Sequence, residues 1–163
     1  MKLTFLGTGA GETYPGYWCE CPHCTYARKY RGKNLRTNSS MVIDEELLID
    51  MGPSCFDNAA RFGVNLSKLK TLLVTHPHED HLYPQHLHWR NTDESLLSLT
   101  YVEKMRRGGP RFTDIPQLNI YGNSFVMETL RKSLDDMEEL KINLHEIREG
   151  KEEKTDGYRI LPV

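Results

Sequence analysis

Thr71-Leu72-Leu73-Val74-Thr75 runs directly into His76-Pro77-His78-Glu79-Asp80-His81. The first half, within Leu69–Thr75, holds a continuous apolar run bounded by polar residues. That pattern suits a strand buried on both faces better than an amphipathic helix. The second half places three imidazoles and a carboxylate within six residues. Neutral imidazole nitrogen and carboxylate oxygen are donors that suit zinc, manganese or iron. In an extended turn His76 and His78 project to one side and can grip one ion. Asp80 and His81 are expected where the chain curls into a helix, offset enough to serve a second. Two metals a few ångströms apart can activate a water and stabilise a phosphoryl or acyl oxyanion together. A loop at the carboxyl end of a buried strand gives such ions a rigid base with solvent access. Surface histidines in a polar turn are the plainer alternative; the density of ligand-type residues, with Pro77 stiffening the turn, weighs against it.

Upstream of this stretch, Lys2–Leu6 is rich in strand formers and meets the breakers Gly7, Gly9 and Gly11. Residues 12–39 read as a long loop with a short helix near Tyr26–Tyr30. Ser40–Ile43 and Glu46–Asp50 form a hairpin turned at Asp44-Glu45. Cys55–Phe62 reads as a helix, with Ser54 as its cap and Gly63 as its stop. Downstream, Gln85–Met105 is expected to be mostly helix, and Lys104–Arg111 a basic loop around Gly108-Gly109-Pro110. Leu118–Tyr121 reads as a strand, Ser124–Asp136 as a helix, Leu140–Leu144 as a strand, and Tyr158–Val163 as the start of another. No linker or repeat divides the chain, so residues 1–163 are expected to form one domain of class α/β or α+β.

Twenty-one Lys and Arg against 23 Asp and Glu give a net charge of −2, which excludes a global electrostatic footprint for nucleic acid or an anionic membrane. The longest apolar runs fall far short of the roughly 20 residues that span a bilayer. Met1-Lys2 leads into an alternating segment without a signal-peptide apolar core, so a cytoplasmic protein is expected. The four cysteines do not form a disulfide framework. Cys19, Cys21 and Cys24 lie in a C-x-C-x-x-C arrangement, and Cys55 stands alone. Three thiolates at this spacing can wrap a zinc tetrahedrally if one more residue arrives from elsewhere. His23 is cramped between the others, and Cys55 reads as a small core residue.

His76-x-His78-x-Asp80-His81 after a hydrophobic strand resembles the signature of the metallo-β-lactamase superfamily. Leu3-Thr-Phe-Leu-Gly-Thr-Gly9 is similar to the first strand and glycine turn of its phosphodiesterase and tRNA-processing branches. Leu48-Ile-Asp50-Met-Gly52 resembles its second motif, whose aspartate supports the metal loop by hydrogen bonding. The cysteine cluster is similar to that of the phosphoribosyl cyclic phosphodiesterase branch found in phosphonate catabolism. There, three such cysteines and a histidine from the C-terminal half hold a structural zinc.

The resemblance implies an αββα sandwich with two active-site divalent ions (zinc, manganese or iron) and one structural zinc. His76 and His78 would bind the first ion, and Asp80 and His81 the second. Asp50 would fix imidazole orientation, and Cys19, Cys21 and Cys24 would hold the structural zinc. The implied activity is hydrolysis of a small cyclic or nucleotide-like phosphodiester by a hydroxide bridging the metals. The same motifs keep tRNA 3′-end processing open, and thioester or lactam hydrolysis can use the same ions. The family also supplies a further His, a bridging Asp and a last His from later segments. His86, His88 and His145 are expected to be locally hydrogen-bonded side chains and not those ligands. Tyr158–Val163 resembles the strand leading to the last histidine motif, so the expectation is the N-terminal part of the sandwich. Folds of this kind often need roughly 200–250 residues. A catalytically incomplete zinc-binding half-domain, whether a fragment, a truncated reading frame or a chain completed through self-association, by strand exchange with another copy, therefore stands as the alternative from a different class.

Overall fold

The computed structural model describes residues 1–90 and 115–163. Eight strands occur in it: β1 (Leu3–Gly7), β2 (Ser40–Ile43), β3 (Leu47–Ile49), β4 (Thr71–Leu73), β5 (Leu118–Gly122), β6 (Ile142–Glu146), β7 (Glu153–Thr155) and β8 (Tyr158–Ile160). The helices are α1 (Pro22–Tyr30), α2 (Cys55–Arg61) and α3 (Ser124–Ser133), with a 3₁₀ segment at Pro84–Arg90. Strands β1 to β6 lie side by side in sequence order. The first three are an antiparallel meander, and β3 through β6 are parallel. Crossovers through α2 and α3 supply the helices that parallel pairing requires.

Local chemistry explains the joints. The β2–β3 hairpin closes over Asp44, Glu45 and Glu46, with Asp44 and Glu45 at φ 52° and 60° and the Glu46 N–H donating to Ile43 O at 3.0 Å. This left-handed pair matches the twist of the flanking strands, and the short polar Asp44 tolerates it better than a branched residue would. Asn123 caps α3 by accepting the Val126 N–H at 3.1 Å. Gly122 lets that helix sit close, since a Cβ there would lie 2.5 Å from Val126 Cγ1.

Strand register lines up Val42, Leu48, Leu72, Ile120 and Leu144 as one row across five strands. With Leu118 and Ile142 they form the sheet side of the core, and Cys55, Ala59, Val126, Met127 and Leu130 close it from α2 and α3. Each fully buried Leu or Ile in such a row stabilises the fold by about 1.5–3 kcal/mol. On the other face Thr71 is buried against the β7–β8 hairpin, its hydroxyl 3.2 Å from Thr155 Oγ1 and 3.2 Å from Asp156 Oδ2. The layers are thus helix, sheet and a second, two-stranded sheet.

Three expectations change. Ser54 does not cap α2; its hydroxyl donates instead to Asn38 Oδ1 at 2.7 Å. The region after the histidines is a turn followed by 3₁₀ structure at Pro84–Arg90, whose last residue, Arg90, donates to Leu140 O and Pro116 O. The rest of the helix expected over Gln85–Met105, and the basic stretch Lys104–Arg111, lie outside the described residues. Residues 8–39 are more ordered than a loop reading implies. They double back through pairings of Gly9 with Asn38 and Tyr14 with Arg36, and carry α1 between them. No helix among the described residues is long and apolar enough to cross a membrane.

Candidate metal centre

The histidine loop leaves the carboxyl end of β4 and is tied at both ends to the residues that follow β3. The Asp50 N–H donates to Leu73 O at 2.8 Å, the Met51 N–H to His81 O at 2.7 Å, and the Tyr83 N–H to Met51 O at 2.8 Å. Asp50 is 5% exposed and adopts φ 58°, which turns its carboxylate under the loop. There Asp50 Oδ1 accepts the Thr75 N–H at 2.8 Å, and the Thr75 hydroxyl lies 3.0 and 2.9 Å from Oδ1 and Oδ2. Asp50 Oδ2 is 2.7 Å from His81 Nδ1. A carboxylate oxygen is an acceptor, so the tautomer with its proton on Nδ1 satisfies this contact and leaves the Nε2 lone pair for a ligand. That Nε2 is 3.3 Å from Asp80 Oδ2. His76 Nδ1 is 3.0 Å from the Thr75 hydroxyl.

Contacts link His76 to His78 and to His81, and His81 to Asp80. The ring of His76 lies 4.7 Å from that of His78 and 4.1 Å from that of His81, centroid to centroid. Asp80 sits beside them under Gly11, where a Cβ would come 3.5 Å from its carboxylate carbon. Two backbones approach too closely for any side chain at Gly52, whose Cβ would be 2.1 Å from Asp80 O. Imidazoles and a carboxylate are donors of the type that suits divalent cations; among the described residues the group whose ligand atoms converge on one ion position is the cysteine cluster described below. Thr75 was not anticipated from the sequence. Its position next to His76 was visible, but its bond to Asp50 spans 25 residues.

The three other histidines of the C-terminal side are tied to local partners. His86 Nε2 lies 3.1 Å from Pro53 O with its ring stacked on Phe56, and His88 Nε2 lies 3.1 Å from Ser133 O. His145 Nε2 lies 3.1 Å from Asn119 Oδ1, its ring stacked on Tyr121.

A second donor cluster lies apart, at the start of α1. The ligand atoms of Cys19, Cys21 and Cys24 fall within 4.8 Å of one another. A tetrahedral zinc with Zn–S bonds of about 2.3 Å needs sulfurs roughly 3.8 Å apart, so small rotamer adjustments suffice. Cys21 caps α1, accepting the Cys24 N–H at 3.5 Å. That backbone bond, followed by contacts with Cys19 and Cys24, lowers the Cys21 thiol from 9.0 to about 7, toward the thiolate that binds metal. The loop is braced by Arg28, whose guanidinium donates to Gly16 O at 2.8 Å, and by Tyr14, whose hydroxyl donates to His23 O at 3.0 Å. Cys55 belongs to neither cluster. It is buried in the core against Ser40, and burial pushes its thiol up to about 11.

Residues 34–83, which contain both Asp50 and the histidine loop, match the sequence model of the Metallo-beta-lactamase superfamily. The fold is the metallo-beta-lactamase fold. Within it, the chain is similar to a crystal structure described as a new diphosphatase from the PhnP family, with a TM-score of 0.66 and 22% identity over 99% of this chain and 55% of that one. Zinc-bound PqqB from Methylobacterium extorquens superposes with a TM-score of 0.64 and 17% identity, over 94% of this chain and 48% of its own. Ribonuclease Z of Listeria innocua is 29% identical over 156 residues, 92% of this chain and 40% of its own length. The chain thus spans about half the length of these metallo-beta-lactamase-fold relatives, or less.

Proposed function

We propose that this chain contributes to a metal-dependent hydrolase of the metallo-beta-lactamase superfamily that cleaves a small phosphodiester. The observation that carries the reading is the Asp50–Thr75–His81 network beneath a cluster of three imidazoles and Asp80. His76 and His78 would hold one divalent ion, and Asp80 and His81 a second; zinc, manganese and iron all suit these donors. Such ions would supply Lewis-acid stabilisation of a phosphoryl oxygen and a lowered pKa for bound water. The chain's own residues do the rest. Asp50 holds the proton on His81 Nδ1 and orients that ring, and the Thr75 hydroxyl bridges Asp50 and His76. Gly11 and Gly52 allow backbone to pack against Asp80 and hold its carboxylate beside His81.

Cys19, Cys21 and Cys24 would hold a structural zinc that closes residues 8–39, a segment burying only Cys24, Ala27 and Asn38. Among the described residues, His86, His88 and His145 bind local acceptors, which leaves them outside this ligand set. We take residues 1–163 as part of one such domain.

The substrate class is supported by the phosphorus chemistry named in the PhnP-family neighbour. The test is hydrolysis of bis(4-nitrophenyl) phosphate by the chain loaded with zinc or manganese. Turnover that disappears in Asp80→Ala and His78→Ala supports the reading. A metal-loaded chain without turnover would sink the diesterase assignment and favour the catalytically incomplete zinc-binding half-domain.

A second reading, tRNA 3′-end processing, is favoured by the ribonuclease Z likeness. It requires phosphate contacts whose affinity falls steeply with salt. Cleavage of a precursor tRNA at low salt, lost on raising ionic strength, would select it over the small diester.

A further inference from the structure

Strands β1, β3 and β4 run in the same direction, so their carboxyl ends open on one rim of the sheet. On that rim, sharing no residue with the histidine cluster, a groove of about 310 Å³ lies between the end of β1, the 32–37 loop and the end of α2. We propose that this groove binds a mononucleotide, with its base against Phe62 and its phosphate held by Lys33, Arg36 and Arg61.

Four observations carry this assignment. First, all three cations line the groove and no Asp or Glu does. Among the described residues, none of the three has a carboxylate within ion-pairing distance. Three like charges around one concavity repel one another and raise the local concentration of an anion. Two of them are guanidiniums, whose fork of donors matches phosphate oxygens.

Second, Phe62, directly after α2, lines the same groove yet is 53% exposed. Large aromatic faces held in solvent beside arginines are the platform on which a nucleobase stacks.

Third, the floor is polar and built. Asn58 is buried, and its amide donates to Thr37 Oγ1 at 2.6 Å. The Thr37 hydroxyl uses its lone pair there and keeps its own proton for a ligand oxygen.

Fourth, the volume stands at the lower end of ligand pockets, about 300–1,000 Å³, which fits a mononucleotide and not a longer chain inside it. Gly7 keeps the wall tight, because a Cβ there would fall 2.0 Å from Asn38 O.

The assignment stands apart from the metal reading, and the experiment separates them. Binding of adenosine 5′-monophosphate, inorganic phosphate and adenosine is measured by titration calorimetry on the full chain, on Arg36→Ala, Arg61→Ala and Phe62→Ala, and on His78→Ala. Circular dichroism verifies that each variant is folded. The expected result is saturable binding of the monophosphate, tighter than either inorganic phosphate or adenosine. Each arginine variant weakens it by about tenfold, as loss of a charge-assisted contact should, and Phe62→Ala weakens adenosine and the monophosphate but not phosphate. His78→Ala leaves all of it unchanged. No saturation at about 1 mM ligand, binding indifferent to both arginines, or binding lost in His78→Ala would overturn the proposal; the last would place the nucleotide at the histidine cluster.

Discussion

Asp50 Oδ2 stands 2.7 Å from His81 Nδ1, and the same carboxylate takes the Thr75 backbone N–H at 2.8 Å. One buried side chain thereby fixes both ends of the histidine loop. Asp50→Ala leaves three donors, the Thr75 N–H, the Thr75 hydroxyl and His81 Nδ1, without their acceptor, and puts a Cβ-bearing residue that lacks Asp's local hydrogen bonding at φ 58°. The expected cost is about 2–4 kcal/mol of stability, read as a lower midpoint in urea unfolding. Loss of the oriented imidazole should also weaken divalent-metal binding by about 10–100-fold. Asp50→Asn keeps an acceptor and should lose less of both.

Gly52 carries the neighbouring constraint. A Cβ at this position would sit 2.1 Å from Asp80 O and 2.7 Å from Asp80 C, both backbone atoms that cannot rotate away. Gly52→Ala should therefore displace Asp80. We expect destabilisation of about 1–3 kcal/mol or more, together with weaker metal binding. Gly63→Ala, where no atom lies within 4 Å of the added Cβ, is the control. It strains φ alone and should leave metal binding intact.

The cysteine cluster predicts a separable metal. Cys21→Ser should remove one equivalent of zinc, measured by mass spectrometry of the folded chain, and leave metal at the histidine cluster in place. Residues 8–39 should then show faster amide exchange, since their ordering relies on few buried side chains. Equal zinc content in the variant would show that these thiols do not bind it.

Cys55 predicts a pH dependence. Burial raises its thiol from 9.0 to about 11, so the neutral form is favoured in the folded chain. An unfolded thiol begins to ionise near pH 8.5–9, whereas the folded one does not until its raised value. Its contribution is fully present below about pH 9 and is lost as pH climbs toward 11, by about 2–3 kcal/mol. Cys55→Ala should flatten that part of the stability curve relative to the native chain. Parallel curves would contradict the assignment of Cys55 to the dry core.

The elements read most readily from sequence were those with short-range logic. The Leu72-Leu73-Val74 run gave a buried strand because both neighbours in the sheet are parallel strands covered on two faces. The Asp44-Glu45 turn lay between two strand-forming runs at hairpin spacing. The histidine cluster is contiguous, so its ligand-type residues could be seen before any fold was known. What was missed depends on partners far along the chain. Ser54 looks like a cap by type, but Asn38, sixteen residues away in sequence, takes its hydroxyl. Thr75 and Gly52 acquire meaning only when the β3 and β4 ends meet. The short β7 strand, Glu153-Lys154-Thr155, has no apolar alternation; Thr155 is buried because Thr71 receives it across the sheet.

If His76, His78, Asp80 and His81 bind divalent metal, removing one of them lowers the metal content of the folded chain. Equilibrium dialysis of the native chain and His78→Ala against zinc or manganese, with metal counted by mass spectrometry, is the test. The expected result is at least one fewer ion per chain in the variant, with circular dichroism unchanged. Equal metal content in two folded proteins would contradict it.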